Sequence, residues 1–283
     1  MSEKGTLFVT ATPIGNLDEL SPRAVDTLKR VALIACEDTR TSSVLLRRFA
    51  IDTPLMSCHK FNESRIIERV LAHLSNSENV ALISDAGTPA ISDPGALLVA
   101  AAVEAGYTVS PIAGPCAAIA ALSLSGFAGL SFAFYGFLPK EAKKIDAILE
   151  RAEQNDIAIF YVSPHRIADC IERIAKLRQN ATICLCNDLT KRYERIYRGR
   201  PEDVLEQLKQ NPGANKGEYT LVMQNPPPST KEPVSFSIEA VLLDDYIKQG
   251  GTLKDAAQRL TAQGLSKNAL FDAAVRLKNM EFS

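Results

Sequence analysis

Three stretches of glycine, proline and hydroxyl residues each follow a run of β-branched residues. They are Thr12-Pro13-Ile14-Gly15-Asn16, Ser84-Asp85-Ala86-Gly87-Thr88-Pro89 and Ala113-Gly114-Pro115. Glycine lets a backbone approach a ligand closely, and proline fixes the path of a turn. The carboxylate of Asp85 is placed to accept hydrogen bonds from a ligand hydroxyl or amine. A fourth stretch, Glu37-Asp38-Thr39-Arg40, gathers two acids, a hydroxyl and a guanidinium in four residues. By itself it reads equally as a surface turn with a local ion pair or as a substrate contact. The chain has no GxGxxG after its first strand and no GxxxxGK[ST], so neither a dinucleotide nor a P-loop phosphate cradle is expected.

The elements that must position these loops follow an α/β pattern. Short β-branched runs at 7–11, 32–36, 80–83 and 107–112 alternate with segments of helical period, as in a mostly parallel sheet. Ser21-Pro22 reads as a helix start, with Ala24, Val25, Leu28 and Val31 on one face. Asn62 precedes the stripe Ile66, Ile67, Val70, Leu71 and Leu74, and Asp93-Pro94 reads as the cap of a helix through Leu97, Leu98 and Ala101. In such sheets ligands bind beyond the carboxyl ends of the strands, which would bring the three loops to one edge.

A second α/β domain is expected over 114–225, after the first at 1–113, with strands at 131–136, 157–162, 182–186 and 219–224 and a small-residue helix at 116–124. The proline-rich stretch 226–236 reads as a linker, because proline cannot donate to a strand ladder. Beyond it, 237–283 reads as a helical tail. The stripe of Leu253, Ala256, Ala257 and Leu260 faces that of Ala269, Leu270, Ala273 and Leu277 across a turn near Gly264. A packing hairpin is the first reading of this tail and a helix-turn-helix nucleic-acid reader the second.

Composition narrows the function classes. With 283 residues and 46% hydrophobic content the chain can bury a large core, and it has no apolar run of the roughly 20 residues that a membrane span needs. The N-terminus lacks the pattern of a signal peptide, and the expected location is cytoplasmic. The six cysteines form no CxxC pair, the three histidines form no HExxH, and no metal site is expected. Cys184 and Cys186 should share one face of a strand. A net charge of −1 argues against a broadly basic nucleic-acid binder, although Lys191, Arg192, Arg195, Arg198 and Arg200 concentrate positive charge in one run.

Taken together, Thr12-Pro13-Ile14-Gly15-Asn16-Leu17, Glu37-Asp38-Thr39-Arg40, Ser84 to Pro89, Ile91-Ser92-Asp93-Pro94-Gly95, Gly136-Phe137-Leu138-Pro139, Leu189-Thr190-Lys191 and Gly217-Glu218 closely resemble the bacterial ribosomal RNA small subunit methyltransferase I family, over roughly residues 6–222. The resemblance implies a fold of tetrapyrrole methylase type, with two α/β domains, S-adenosylmethionine in the cleft between them, and usually a homodimer. It implies 2′-O-methylation of a cytidine ribose in the decoding region of 16S rRNA, with the 30S subunit as the partner. By position, it implies cofactor contacts from Pro13, Ile14 and Gly15, from Asp85, Gly87 and Thr88, and from Ala117 and Ala118. Motif position makes Asp38 a candidate proton acceptor and Lys191 a candidate for stabilising an oxyanion or binding a phosphate. A small-molecule tetrapyrrole methylase, or a non-catalytic ribosome-assembly or nucleotide-sensing module, are the alternatives.

Two positions depart from the family. Its members commonly read Tyr-Glu-Ser before His-Arg, whereas Tyr161-Val162-Ser163-Pro164-His165-Arg166 lacks the acid; the usual Arg-Glu before Leu-Thr-Lys is Asn187-Asp188.

Overall fold

A computed structural model describes residues 4–59, 62–226, 238–262 and 265–280. The expected linker, apart from Pro226, and the turn at Gly264 lie outside the described residues. The chain forms two compact units, Met1–Pro226 and Pro227–Ser283.

The first unit opens with β1 (Thr6–Thr10), α1 (Pro22–Arg30), β2 (Leu33–Cys36), α2 (Thr39–Arg48), β3 (Leu55–Ser57), α3 (Glu63–Ser75), β4 (Val80–Ile83), α4 (Ala96–Glu104) and β5 (Thr108–Ile112). The five strands form an all-parallel sheet in the order β3-β2-β4-β1-β5. The chain leaves β1 toward one edge and β4 toward the other, so the strand order reverses between these two central strands. A ligand crevice is expected beyond their carboxyl ends.

Both faces of this sheet are covered, which explains the continuous apolar runs of β2 and β4. Leu33, Ala35, Val80 and Leu82 point toward Ile66, Val70 and Leu74 of α3 and Leu98 of α4. Their neighbours Ile34, Cys36, Ala81 and Ile83 point the other way, toward Leu28 of α1 and Leu46 of α2. Each fully buried leucine or isoleucine contributes about 1.5–3 kcal/mol. The Ser21 hydroxyl accepts from the Ala24 N–H and starts α1 as its sequence predicts.

The start of α4 differs from expectation. Asp93 is not its cap: the helix begins at Ala96, and the buried Glu63 carboxylate reaches across from α3 to accept the N–H groups of Gly95 and Leu97, both at 3.2 Å. A long side chain from a neighbouring helix thus satisfies amides that have no acceptor within α4. Asp93 lines the crevice instead.

The chain continues with α5 (Ala117–Ser125), β6 (Phe132–Phe137), α6 (Ala142–Ala152), β7 (Ile157–Val162), α7 (Ile167–Leu177), β8 (Thr182–Asn187), β9 (Arg195–Gly199), α8 (Pro201–Lys209) and β10 (Tyr219–Gln224). The second sheet is mixed, in the order β6-β7-β10-β8-β9, with β6 parallel to β7 and the other pairs antiparallel. One face packs on α6, α7 and α8, through residues such as Leu149, Ile171 and Val204. The other packs on α5 and carries Cys184 and Cys186, whose sulfurs lie 3.9 Å apart. All six cysteines are free thiols. Much of the basic run forms β9, an edge strand, where charge discourages pairing with other chains.

Among its described residues the second unit holds three helices, α9 (Ile238–Gln249), α10 (Leu253–Ala262) and α11 (Lys267–Met280). The expected hairpin is α10 with α11. A third helix, α9, adds Leu242 to their core of Ala256, Ala257, Leu260, Leu270 and Ala273. Arg259 ties α10 to Asp245 of α9 at 2.7 Å. No described helix is long and apolar enough to cross a membrane.

Candidate functional site

The three glycine- and proline-bearing loops meet at the carboxyl edge of the first sheet and are stitched to one another. Thr12 and Gly87 exchange both backbone hydrogen bonds, the Thr12 hydroxyl donates to the Ser84 carbonyl at 3.0 Å, and the Thr88 hydroxyl donates to the Pro115 carbonyl at 3.0 Å. These bonds hold backbone that belongs to no strand ladder, and so fix the shape of the crevice.

Beyond them lies a cavity of about 380 Å³. From the first sheet it is lined by Ile14 and the segments 85–88 and 91–93; from the second by Phe137, residues 161–164, Leu189 and residues 217–220, with Cys116 and Ala117 between. The size and the mix of apolar walls with a few converging polar groups are those of a small-molecule site. Tyr161 stands edge-on to Phe137 and Phe134, with ring centroids 5.3 and 4.9 Å away. Burial, then the neighbouring Cys116, pushes its hydroxyl up to about 12.

Carboxylates crowd one side. Asp93 is pushed up to about 6, first by burial and then by the charges of Glu37 and Asp85. Asp85 and Glu37 are also raised, burial again being the larger cause. Asp38 shifts the other way, down to about 2, because its carboxylate accepts from the Arg40 side chain and then from the Arg40 backbone N–H. It caps α2, is absent from the cavity wall, and is a weak proton acceptor; its backbone N–H donates to Asp85 instead.

Of the cofactor contacts expected from sequence, Ile14, Asp85, Gly87, Thr88 and Ala117 line the cavity. Pro13 and Ala118 are buried behind the wall. Gly15 lies where the two sheets' loops touch: a Cβ there would stand 2.6 Å from the Leu189 carbonyl oxygen, so only glycine fits. Lys191 is one residue pair removed from the cavity. Its ammonium lies 3.0 Å from Asp188 and 2.8 Å from Glu218, which does line it. Burial acts to lower the Lys191 pKa, and these two carboxylates outweigh it, for a net rise.

Residues that the sequence reading placed elsewhere or left out also belong here. Asp93 read as a helix cap, although it sits in the motif Ser92-Asp93-Pro94-Gly95. Phe137 and Glu218 fall inside motifs without a role, and so does Tyr161, which opens the stretch that departs from the family. The two family departures become intelligible together: Val162 and Asn187 both pair with Tyr219, one from each neighbouring strand. An acid and a guanidinium missing from one row leave no unpaired charge in the sheet. Asn187 bonds instead to the carbonyls of Lys216 and Glu218 at 3.4 Å.

Residues 6–205 match the family of tetrapyrrole (corrin/porphyrin) methylases. The chain is 43% identical to a protein of Xylella fastidiosa named ribosomal RNA small subunit methyltransferase I, over 79% of this chain and 83% of that one. It is 41% identical to a protein of the same name from Haemophilus influenzae, over 94% and 95%. Among solved structures it resembles a diphthine synthase, with a TM-score of 0.60 at 15% identity over 78% of this chain and 89% of that one. It also resembles a uroporphyrin-III-C-methyltransferase of Thermus thermophilus, with a TM-score of 0.53 at 19% identity over 78% and 94%. At such low identity these last two likenesses speak to the fold alone.

Proposed function

The chain belongs to the tetrapyrrole methylases and, within them, to the ribosomal RNA small subunit methyltransferase I family, and from that membership we propose that it transfers a methyl group from S-adenosylmethionine to the 2′-oxygen of a cytidine ribose in the decoding region of 16S rRNA. The substrate is the 30S subunit in the cytoplasm. The working form is a homodimer, a reading supported by the exposed Leu130 and Phe132 at the start of β6, an open strand edge.

The observation that carries the reading is the cavity at the strand reversal, walled by apolar side chains and by Asp85, Asp93 and Glu218. That set of groups fits a nucleoside bearing a positive sulfonium: Ile14, Ala117 and the Gly87 backbone offer close apolar contact, and the carboxylates favour a cation. When bound, S-adenosylmethionine supplies a methyl group already activated by the sulfonium. The protein must then orient the ribose hydroxyl and accept its proton. Asp93 is the residue best suited to that proton, since it lines the cavity and its raised pKa leaves a carboxylate basic enough to take it. Asp85 holds polar ligand groups, and Lys191 fixes Glu218 in the wall while meeting the approaching phosphate backbone.

Ribose-methylation mapping of 16S rRNA from cells with and without the gene, followed by incubation of the unmodified 30S subunits with purified protein and labelled S-adenosylmethionine, tests the proposal. Loss of one decoding-region 2′-O-methyl group, restored in vitro, is expected. An unchanged map would overturn it.

A further inference from the structure

The segment 188–194 joins β8 to β9 beside the cavity and is braced by hydrogen bonds along its length. Two successive turns close on the hydrogen bonds Lys191 N–H to Asp188 carbonyl, 3.0 Å, and Glu194 N–H to Lys191 carbonyl, 3.1 Å. The Glu194 carboxylate accepts from the Thr190 N–H at 2.7 Å. The Thr190 hydroxyl accepts from the Asn16 N–H and donates to the Glu19 carboxylate, both at 3.1 Å, which fastens the loop to the first sheet's loop across the crevice. Leu189 lines the cavity, and Lys191 reaches Glu218 in its wall.

On the outer corner of the second turn stand Arg192 and Tyr193. Tyr193 is 69% exposed, and the Arg192 guanidinium lies 5.4 Å from the centre of its ring. Neither residue serves the core. A single exposed tyrosine is ordinary on a protein surface. This one differs in being presented by a braced turn at the rim of a candidate active site, with exposed Arg192 and Arg195 on its flanks. A rigid aromatic face with guanidinium groups beside it is how proteins stack an unpaired base and neutralise the phosphates on either side.

We propose that Tyr193 is a base-stacking platform: an unpaired nucleotide of the RNA next to the methylated ribose lies on its ring, with Arg192 and Arg195 meeting the adjoining phosphates. The inference rests on the rRNA reading above and names how that substrate is held. A protein of net charge −1 then needs no broadly basic surface, because stacking at one rigid point and two or three phosphate contacts supply the grip.

The test is a kinetic series on the full-length protein with unmodified 30S subunits. Tyr193→Ala is expected to raise KM for the subunit about tenfold, while kcat and the Kd for S-adenosylmethionine stay unchanged. Tyr193→Phe and Tyr193→Trp should keep KM within about twofold of wild type, since each retains a stacking face. Arg192→Gln should lower the salt dependence of subunit binding by about one phosphate contact, an effect that Tyr193→Ala does not share. An unchanged KM for Tyr193→Ala overturns the platform and leaves the methyltransferase reading standing. Equal defects in Tyr193→Phe and Tyr193→Ala also overturn it, because the hydroxyl would then be the contact. Absence of methyl transfer by the wild-type protein overturns both.

Discussion

The backbone N–H of Asp38 donates to the Asp85 carboxylate at 3.2 Å, so that one acid of the Glu37-Asp38-Thr39-Arg40 stretch positions another in the cavity wall. The Asp38 side chain is meanwhile engaged by Arg40 and by the first turn of α2. Backbone and side chain of Asp38 thus both have partners within the fold.

Asp38→Asn is therefore expected to preserve most turnover, since asparagine also caps helices and leaves the backbone N–H in place. Asp38→Ala should loosen the start of α2, displace Asp85 and weaken S-adenosylmethionine binding. Measured side by side, a loss of more than about a hundredfold in kcat for the asparagine variant, the scale of losing a general base, would return the proton-acceptor role to Asp38.

Asp93→Asn should do what Asp38→Asn does not. A general base contributes about 10²–10⁴-fold, so single-turnover methyl transfer is expected to fall by at least about a hundredfold while calorimetry shows S-adenosylmethionine still bound. In the wild type the rate should rise with pH through about 6, the value to which burial, Glu37 and Asp85 push Asp93, because only the deprotonated carboxylate accepts a proton. A pH-independent rate across that range would exclude the residue.

The same shift has a consequence for stability that requires no substrate. Burial, then the charges of Glu37 and Asp85, push Asp93 up to about 6 from an ordinary 3.8, so the protonated form is the one that folding favours. The stability it contributes is fully present below about 3.8 and is lost as pH rises through about 6. Asp93→Asn should accordingly raise Tm at pH 8 and leave it nearly unchanged at pH 4. An equal Tm change at both values would mean that the side chain's shape, not its charge, sets the effect.

How much of this was legible in the sequence depended on whether the signal was local. The strand-loop-helix pattern around 7–16 and 80–89 is local and periodic, and it placed β1, β4 and their loops correctly. β3 has only three residues and β9 is dense with arginine, so neither shows a strand period long enough to read. Asp93 reads as a cap because Asp-Pro before an apolar run is a good local helix start, whereas the carboxylate that holds the start of α4, that of Glu63, comes from 30 residues earlier in the chain. Tyr161 and Glu218 are brought together by strand pairing, and nothing in either neighbourhood announces the other.

Gly15→Ala should disturb the crevice more than its size suggests. The added Cβ meets the Leu189 carbonyl oxygen and the Lys191 Cγ at 2.6 Å and the Thr190 Oγ1 at 2.7 Å. A backbone carbonyl cannot step aside without moving its loop, so the overlap is expected to cost about 1–3 kcal/mol. S-adenosylmethionine affinity and turnover should fall together, because Leu189 belongs to the cavity wall. A variant with normal Tm and normal kcat/KM would show that the two loops part freely.

Glu63 offers the sharpest separation of stability from chemistry. Its carboxylate is buried and accepts the N–H groups of Gly95 and Leu97 at the start of α4. Glu63→Ala leaves both amides without that acceptor, a loss of about 2–6 kcal/mol at about 1–3 kcal/mol for each unsatisfied group. Glu63→Gln keeps an acceptor oxygen and gives up only the charge that the helix N-terminus favours, so it should cost about 1 kcal/mol. Urea denaturation should rank wild type, Glu63→Gln and Glu63→Ala in that order, with S-adenosylmethionine affinity of the glutamine variant close to wild type. Equal stability of the two variants would mean that the charge alone, rather than the pair of hydrogen bonds, holds α4 in place.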